Sequence, residues 1–137
     1  MSAAAVHQFP VVRAYMTTSP RTVPQTASLS TAHRIMQDGH IRHLPVLDGE
    51  RIVGVISERD LLLAETLPGV NPTVVHVGEI MIADVFSVPP NAPIGEVIED
   101  MLARKLGSAV VCADGRVVGV FTTIDALRAL HERLERP

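Results

Sequence analysis

Gly54-Val55-Ile56-Ser57-Glu58-Arg59-Asp60-Leu61 and Gly119-Val120-Phe121-Thr122-Thr123-Ile124-Asp125-Ala126 are two copies of one pattern, and their repetition decides the fold. In each copy a glycine and two apolar residues lead to a hydroxyl, with an aspartate three places further on. The apolar pair predicts the end of a buried strand, and the hydroxyl stands where a helix would begin. Two explanations fit either copy alone. One is a capping box: Ser57 or Thr122 accepts from the first backbone N–H groups, and the acidic side chain reaches back. The other is a nucleotide site: the positive helix end receives a phosphate, and the aspartate accepts from a ribose diol.

Asp60 and Asp125 stand 65 residues apart, and that one offset aligns the two halves of the chain without a gap. Val12 matches Val77, Met16 matches Met81, and Val23-Pro24 matches Val88-Pro89. Met36 matches Met101, Val46 matches Val111, and Val53-Gly54-Val55 matches Val118-Gly119-Val120. So long a register marks a duplication. Each half predicts strand, helix, strand, strand, helix, an α/β (α+β) arrangement. Thr22-Val23-Pro24 and Ser87-Val88-Pro89 are short extended pieces stopped by proline. Helical spacing follows at Leu29, Ala32, Ile35 and Met36, and at Ile94, Val97, Ile98 and Met101. Ser28 is the expected N-cap of the first helix, and Gly39 and Gly107 suit the helix ends. Turns containing Asp48-Gly49 and Asp114-Gly115 join the next two strands of each half. The expected organisation is an arm at 1–9, motif 1 at 10–66, a linker at 67–75, motif 2 at 76–133 and a tail at 134–137. A half of roughly sixty residues buries too little surface alone, so the two should pack together.

Composition narrows the function. Hydrophobic residues make up 47% of the 137 and aromatics only 3%, so the core is aliphatic. A formal net charge of −3 offers no electrostatic footprint for nucleic acid or an anionic membrane. No apolar run approaches a membrane span, and the N-terminus lacks the plan of a signal peptide, so the expectation is a cytoplasmic protein. Cys112, the single cysteine, falls in the apolar run Ala109-Val110-Val111-Cys112 and reads as a buried small hydrophobe rather than a nucleophile. His40 and His43 lack the companions of a metal site. Neither a P-loop nor a Gly-x-Gly-x-x-Gly pattern occurs, and no nucleophile, base and orienting group stand out, so no enzyme is expected. On the closing helix, Leu127, Leu130 and Leu134 form a stripe fit for core or inter-half packing, or for a subunit contact.

The ordered series resembles a tandem pair of cystathionine-β-synthase-type (CBS) domains, from Val12 to about Leu130. It runs Tyr15-Met16-Thr17 and Ile80-Met81-Ile82, then Thr-Val-Pro and Ser-Val-Pro, then Arg42-His43-Leu44-Pro45-Val46. It closes with the two glycine-to-aspartate motifs. The resemblance implies two β-α-β-β-α CBS motifs packed by pseudo-twofold symmetry, with clefts that bind AMP, ADP, ATP or S-adenosylmethionine. The nucleotide would be a regulatory ligand, with no cofactor besides. By resemblance, Asp60 and Asp125 accept from ribose hydroxyls, and Ser57 and Thr122 contact phosphate beside Arg59 and Thr123. Thr122 and Asp125 would share a cleft with Thr17, Thr18, Pro20, Arg42, His43 and Pro45. Ser57 and Asp60 would share theirs with Ile82, Ala83, Val85, Ser108 and Val110. Arg42-His43 is replaced by Gly107-Ser108 in the second half, so the clefts should differ, with the stronger site expected at Asp125. The expectation is a stand-alone regulatory module, a homodimer acting on an unidentified protein. The alternative is a ligand-free scaffold that kept only the fold.

Overall fold

Thr17 and Thr18 pair antiparallel with Val120 and Gly119, so the opening segment of the first repeat forms part of the second repeat's sheet. The computed structural model describes residues 10–136, and the arm expected at 1–9 lies outside them. The strands are β1 (Thr17–Thr18), β2 (Val23–Pro24), β3 (His43–Asp48), β4 (Arg51–Ser57), β5 (Ser87–Val88), β6 (Ser108–Ala113) and β7 (Arg116–Thr122). The helices are α1 (Leu29–Gly39), α2 (Glu58–Glu65), α3 (Ile94–Arg104) and α4 (Thr123–Glu135). One sheet runs β2-β3-β4 and the other β1-β7-β6-β5. The strand, helix, strand, strand, helix order expected of each half is present.

The two compact units do not follow the linear order of the repeats. One contains residues 20–85; the other combines residues 10–19 with 86–136. Met81 and Ile82 explain the first case: Ile82 exchanges both backbone hydrogen bonds with Val55, at 2.9 and 3.0 Å. Thr17 occupies the same place opposite Val120. Glycine in β4 and β7 makes the contact possible. A Cβ on Gly54 would lie 2.9 Å from Met81 Cγ and 3.0 Å from the Ile82 carbonyl, and closer still to Met81 Sδ. A Cβ on Gly119 would lie 2.9 Å from both Met16 Cγ and the Thr17 carbonyl. Thus the glycine of the duplicated motif is the seat for the other repeat's opening methionine.

Each unit has its own aliphatic core. In one, Val23, Leu29, Met36, Leu44, Val46, Ile56 and Leu61 are buried together. In the other, Val12, Ile94, Val97, Met101, Ala109, Val111 and Phe121 are. Ser28 caps α1 as expected, accepting from Thr31 N at 3.2 Å. The expected glycine ends require correction. The left-handed residues after α1 and α3 are His40 (φ 52°) and Lys105 (φ 56°), whose N–H groups return to helix carbonyls. Gly39 instead leaves room for Arg21, whose Nε would be 3.1 Å from an added Cβ. The hairpin turns differ too. Asp114 and Gly115 both have positive φ, the I′ arrangement, whereas in the first repeat the positive φ falls on Gly49 alone. Helix α4 continues to Glu135, into the stretch expected to be a tail from residue 134.

Candidate functional site

Both glycine-to-aspartate motifs form the same helix start. Ser57 Oγ accepts from Asp60 N at 3.1 Å, while Asp60 Oδ2 accepts from Ser57 N at 3.0 Å. Thr122 Oγ1 accepts from Asp125 N at 3.3 Å, and Asp125 Oδ2 accepts from Thr122 N at 2.9 Å. Both are capping boxes. The next amides are engaged as well: Glu58 N donates to the Arg42 carbonyl at 2.8 Å, and Thr123 N to the Gly107 carbonyl at 3.1 Å. From cap to third helical residue, the box and that carbonyl leave only the Arg59 and Ile124 amides for an anion. Ser57 Oγ and Thr122 Oγ1 already donate to Asp60 Oδ2 and Asp125 Oδ2, at 2.8 and 3.1 Å, so a phosphate arriving here meets one amide and the helix dipole.

The remaining candidates fall into two sets, one per unit. In the unit of residues 20–85, β3 places His43 directly opposite Ser57, and Pro45 opposite Val55. Proline loses no bond to β4 there, because Val55 directs its backbone groups to Ile82. Arg42 and Arg59 are exposed, as is Ala83, while Pro20 and Val85 are half-buried. In the other unit, Ser108 lies opposite Thr122, and Thr17, Thr18 and Thr123 are exposed. At the position of Pro45 stands Val110, whose N–H donates to the Phe86 carbonyl at 2.9 Å.

Electrostatics distinguish the two starts. Burial pushes the His43 imidazole below its usual range; Asp60 partly offsets this, and Arg42 adds to it. Ser108 has no such charge to offer. Asp125 is the one buried ionisable side chain among the described residues, and its Oδ1 is 3.3 Å from Arg128 Nη1. Sequence reasoning missed Arg128, though its spacing three residues after Asp125 was visible. It also missed Tyr15, whose hydroxyl donates to Glu132 and so ties the opening segment to α4. Neither contact is repeated at the matching positions of the other copy, where Leu63, Ile80 and Leu67 stand.

Other features have plainer roles. Cys112 is half-buried rather than fully buried, and burial pushes its thiol up, away from the reactive thiolate. No three His, Cys, Asp or Glu side chains gather at a metal-holding distance among the described residues. No described helix is long and apolar enough to cross a membrane. Leu127, Leu130 and Leu134 are 58, 52 and 73% exposed, which removes the core-packing explanation of the stripe.

Comparison with known proteins agrees with this architecture. A family model described as CBS domain matches residues 3–66 and 77–132. An A-adding tRNA nucleotidyltransferase from Aquifex aeolicus is 33% identical over 91% of the chain, which spans 15% of that relative's length. Hypoxic response protein 1 from Mycobacterium tuberculosis is 28% identical over 80% of this chain and 78% of its own. Among solved structures, the CBS domain pair of protein MJ0100, in complex with 5′-methylthioadenosine and S-adenosyl-L-methionine, superposes with a TM-score of 0.84. That likeness covers 91% of this chain and 98% of the other, at 25% identity.

Proposed function

Because the chain belongs to the CBS-domain family, we propose that it is a regulatory module that binds an adenosine-containing ligand. The ligand is of the AMP, ADP or ATP class, with S-adenosylmethionine a further member. Binding engages the helix starts at Ser57 and Thr122, and the module signals through conformation or through a partner protein. The observation that carries this is the hydroxyl–aspartate helix start, kept in both repeats. Each start offers one open amide at a positive helix end, with a carboxylate beside it. The similarity to a CBS pair solved with two adenosine compounds supports the class of ligand. The capping boxes favour a second reading, a ligand-free scaffold, because they give both aspartates a structural role without any nucleotide.

The module is not an enzyme. It acts as a cytoplasmic homodimer, and neither nucleic acid nor a membrane is a partner. Mass spectrometry of small molecules released from the purified protein, with calorimetric titration of AMP, ADP, ATP and S-adenosylmethionine, tests the proposal. The expected result is one adenosine compound released or bound in the micromolar range, recovered without turnover. No released compound and no binding heat with any of the four would leave the scaffold.

A further inference from the structure

Asp60 and Asp125 hold equivalent places, yet their carboxylates are not equally available. In both, Oδ2 is taken up by the capping box. Asp125 Oδ1 is also paired, 3.3 Å from Arg128 Nη1, and the Asp125 side chain is only 3% exposed. The residue at Arg128's position in the first repeat is Leu63, which carries no donor. Asp60 is partly exposed, and among the described residues its Oδ1 has no hydrogen bond or ion pair. A ribose diol donates two neutral O–H bonds. At Asp60 it would find an oxygen ready to accept; at Asp125 it must first displace a guanidinium from a nearly dry carboxylate. Both bonds are charge-assisted through the carboxylate, but the guanidinium brings a charge of opposite sign to a buried acceptor and the hydroxyls do not, so that exchange is unfavourable.

We infer that Arg128 closes the second copy of the ligand site, so that the Ser57–Asp60 copy alone takes the ribose diol. This rests on the adenosine-binding function proposed above and assigns that function to one repeat. It inverts the ranking expected from the sequence, in which Arg42 and His43 were assigned to the Asp125 site. Within its own unit, His43 lies opposite Ser57. Arg128 is thus a specificity-determining residue that touches no ligand. It works by occupying the acceptor.

Calorimetric titration of the full chain with AMP, and in parallel with S-adenosylmethionine, tests the inference in the wild type, Asp60→Ala, Asp125→Ala and Arg128→Leu. Arg128→Leu installs the first repeat's residue at an exposed position, so the protein should stay folded even if Asp125→Ala does not. The expected result is one equivalent bound per wild-type chain and a second in Arg128→Leu. Asp60→Ala should weaken binding about tenfold or more. Asp125→Ala should cost less affinity than Asp60→Ala and lower the melting temperature. Two equivalents in the wild type, a larger affinity loss at Asp125→Ala, or an unchanged stoichiometry in Arg128→Leu would each overturn the inference while leaving adenosine binding intact. No binding by any variant would overturn the proposed function, and this inference with it.

Discussion

A histidine is a cation or a neutral hydrogen-bonding group according to its surroundings, and at His43 burial decides. The imidazole is half-buried opposite Ser57, with Asp60 favouring its charged form and Arg42 opposing it, and the net shift is downward. A folded-state pKa below the unfolded value of about 6.5 means that the unfolded chain takes up the proton first as pH falls. His43 therefore contributes stability that is present above pH ~6.5 and is lost as pH drops through the lowered folded value. Denaturant melts of the wild type should show falling stability from neutral pH into the acid range. His43→Gln should make that slope shallower, whereas equal slopes would mean that His43 is not held neutral. Tyr15 shifts the other way. Its hydrogen bond to Glu132, then burial, raise the phenol, so this tie persists below its ordinary titration and fails only in strong alkali.

The elements show why some of this was legible in the sequence and some was not. Ser28, Ser57 and Thr122 each cap a helix as expected, because a cap is made by residues three apart and needs nothing beyond the local chain. The strands from β2 onward and the four helices were equally legible, since the duplication gives each of them two independent patterns. The pairing of Met16 with Gly119 was not. It joins residues distant in sequence, and no periodicity announces that each opening segment lies on the other repeat's sheet. The availability of Asp125 was likewise hidden, because an arginine three residues on reads equally well as solvated or as an ion pair. The glycine seat carries its own prediction. Gly119→Ala drives a Cβ to 2.9 Å from the Thr17 carbonyl, which belongs to the backbone and cannot swing aside. Overpacking of this kind costs about 1–3 kcal/mol. Chemical denaturation of Gly119→Ala and of the matching Gly54→Ala should show losses in that range. A loss near zero in both would mean that the opening segments are not seated on these glycines.

For the whole molecule, the telling feature is the apolar surface left outside both cores. Ile124 is 62% exposed, and with Leu127 and Leu130 it continues along α4, while Leu62 and Leu63 are exposed on α2, the corresponding helix of the first repeat. A chain with a formal charge of only −3 has little repulsion to keep such faces apart. Contiguous exposed apolar residues of this kind mark association sites. The homodimer proposed above is the occupant this chain can supply by itself, since a twofold contact meets the same leucines on its partner. Fully burying an exposed leucine contributes about 1.5–3 kcal/mol, and with Leu127 and Leu130 already about half covered the whole stripe on both partners must be buried to offset the cost of association. Sedimentation should therefore give a dimer for the wild type and a monomer for Leu127→Glu combined with Leu130→Glu. Because both side chains lie outside the core, the double variant should keep its wild-type circular dichroism and melt cooperatively. A monomeric wild type would remove the homodimer, and a double variant that stays dimeric would move the contact off α4.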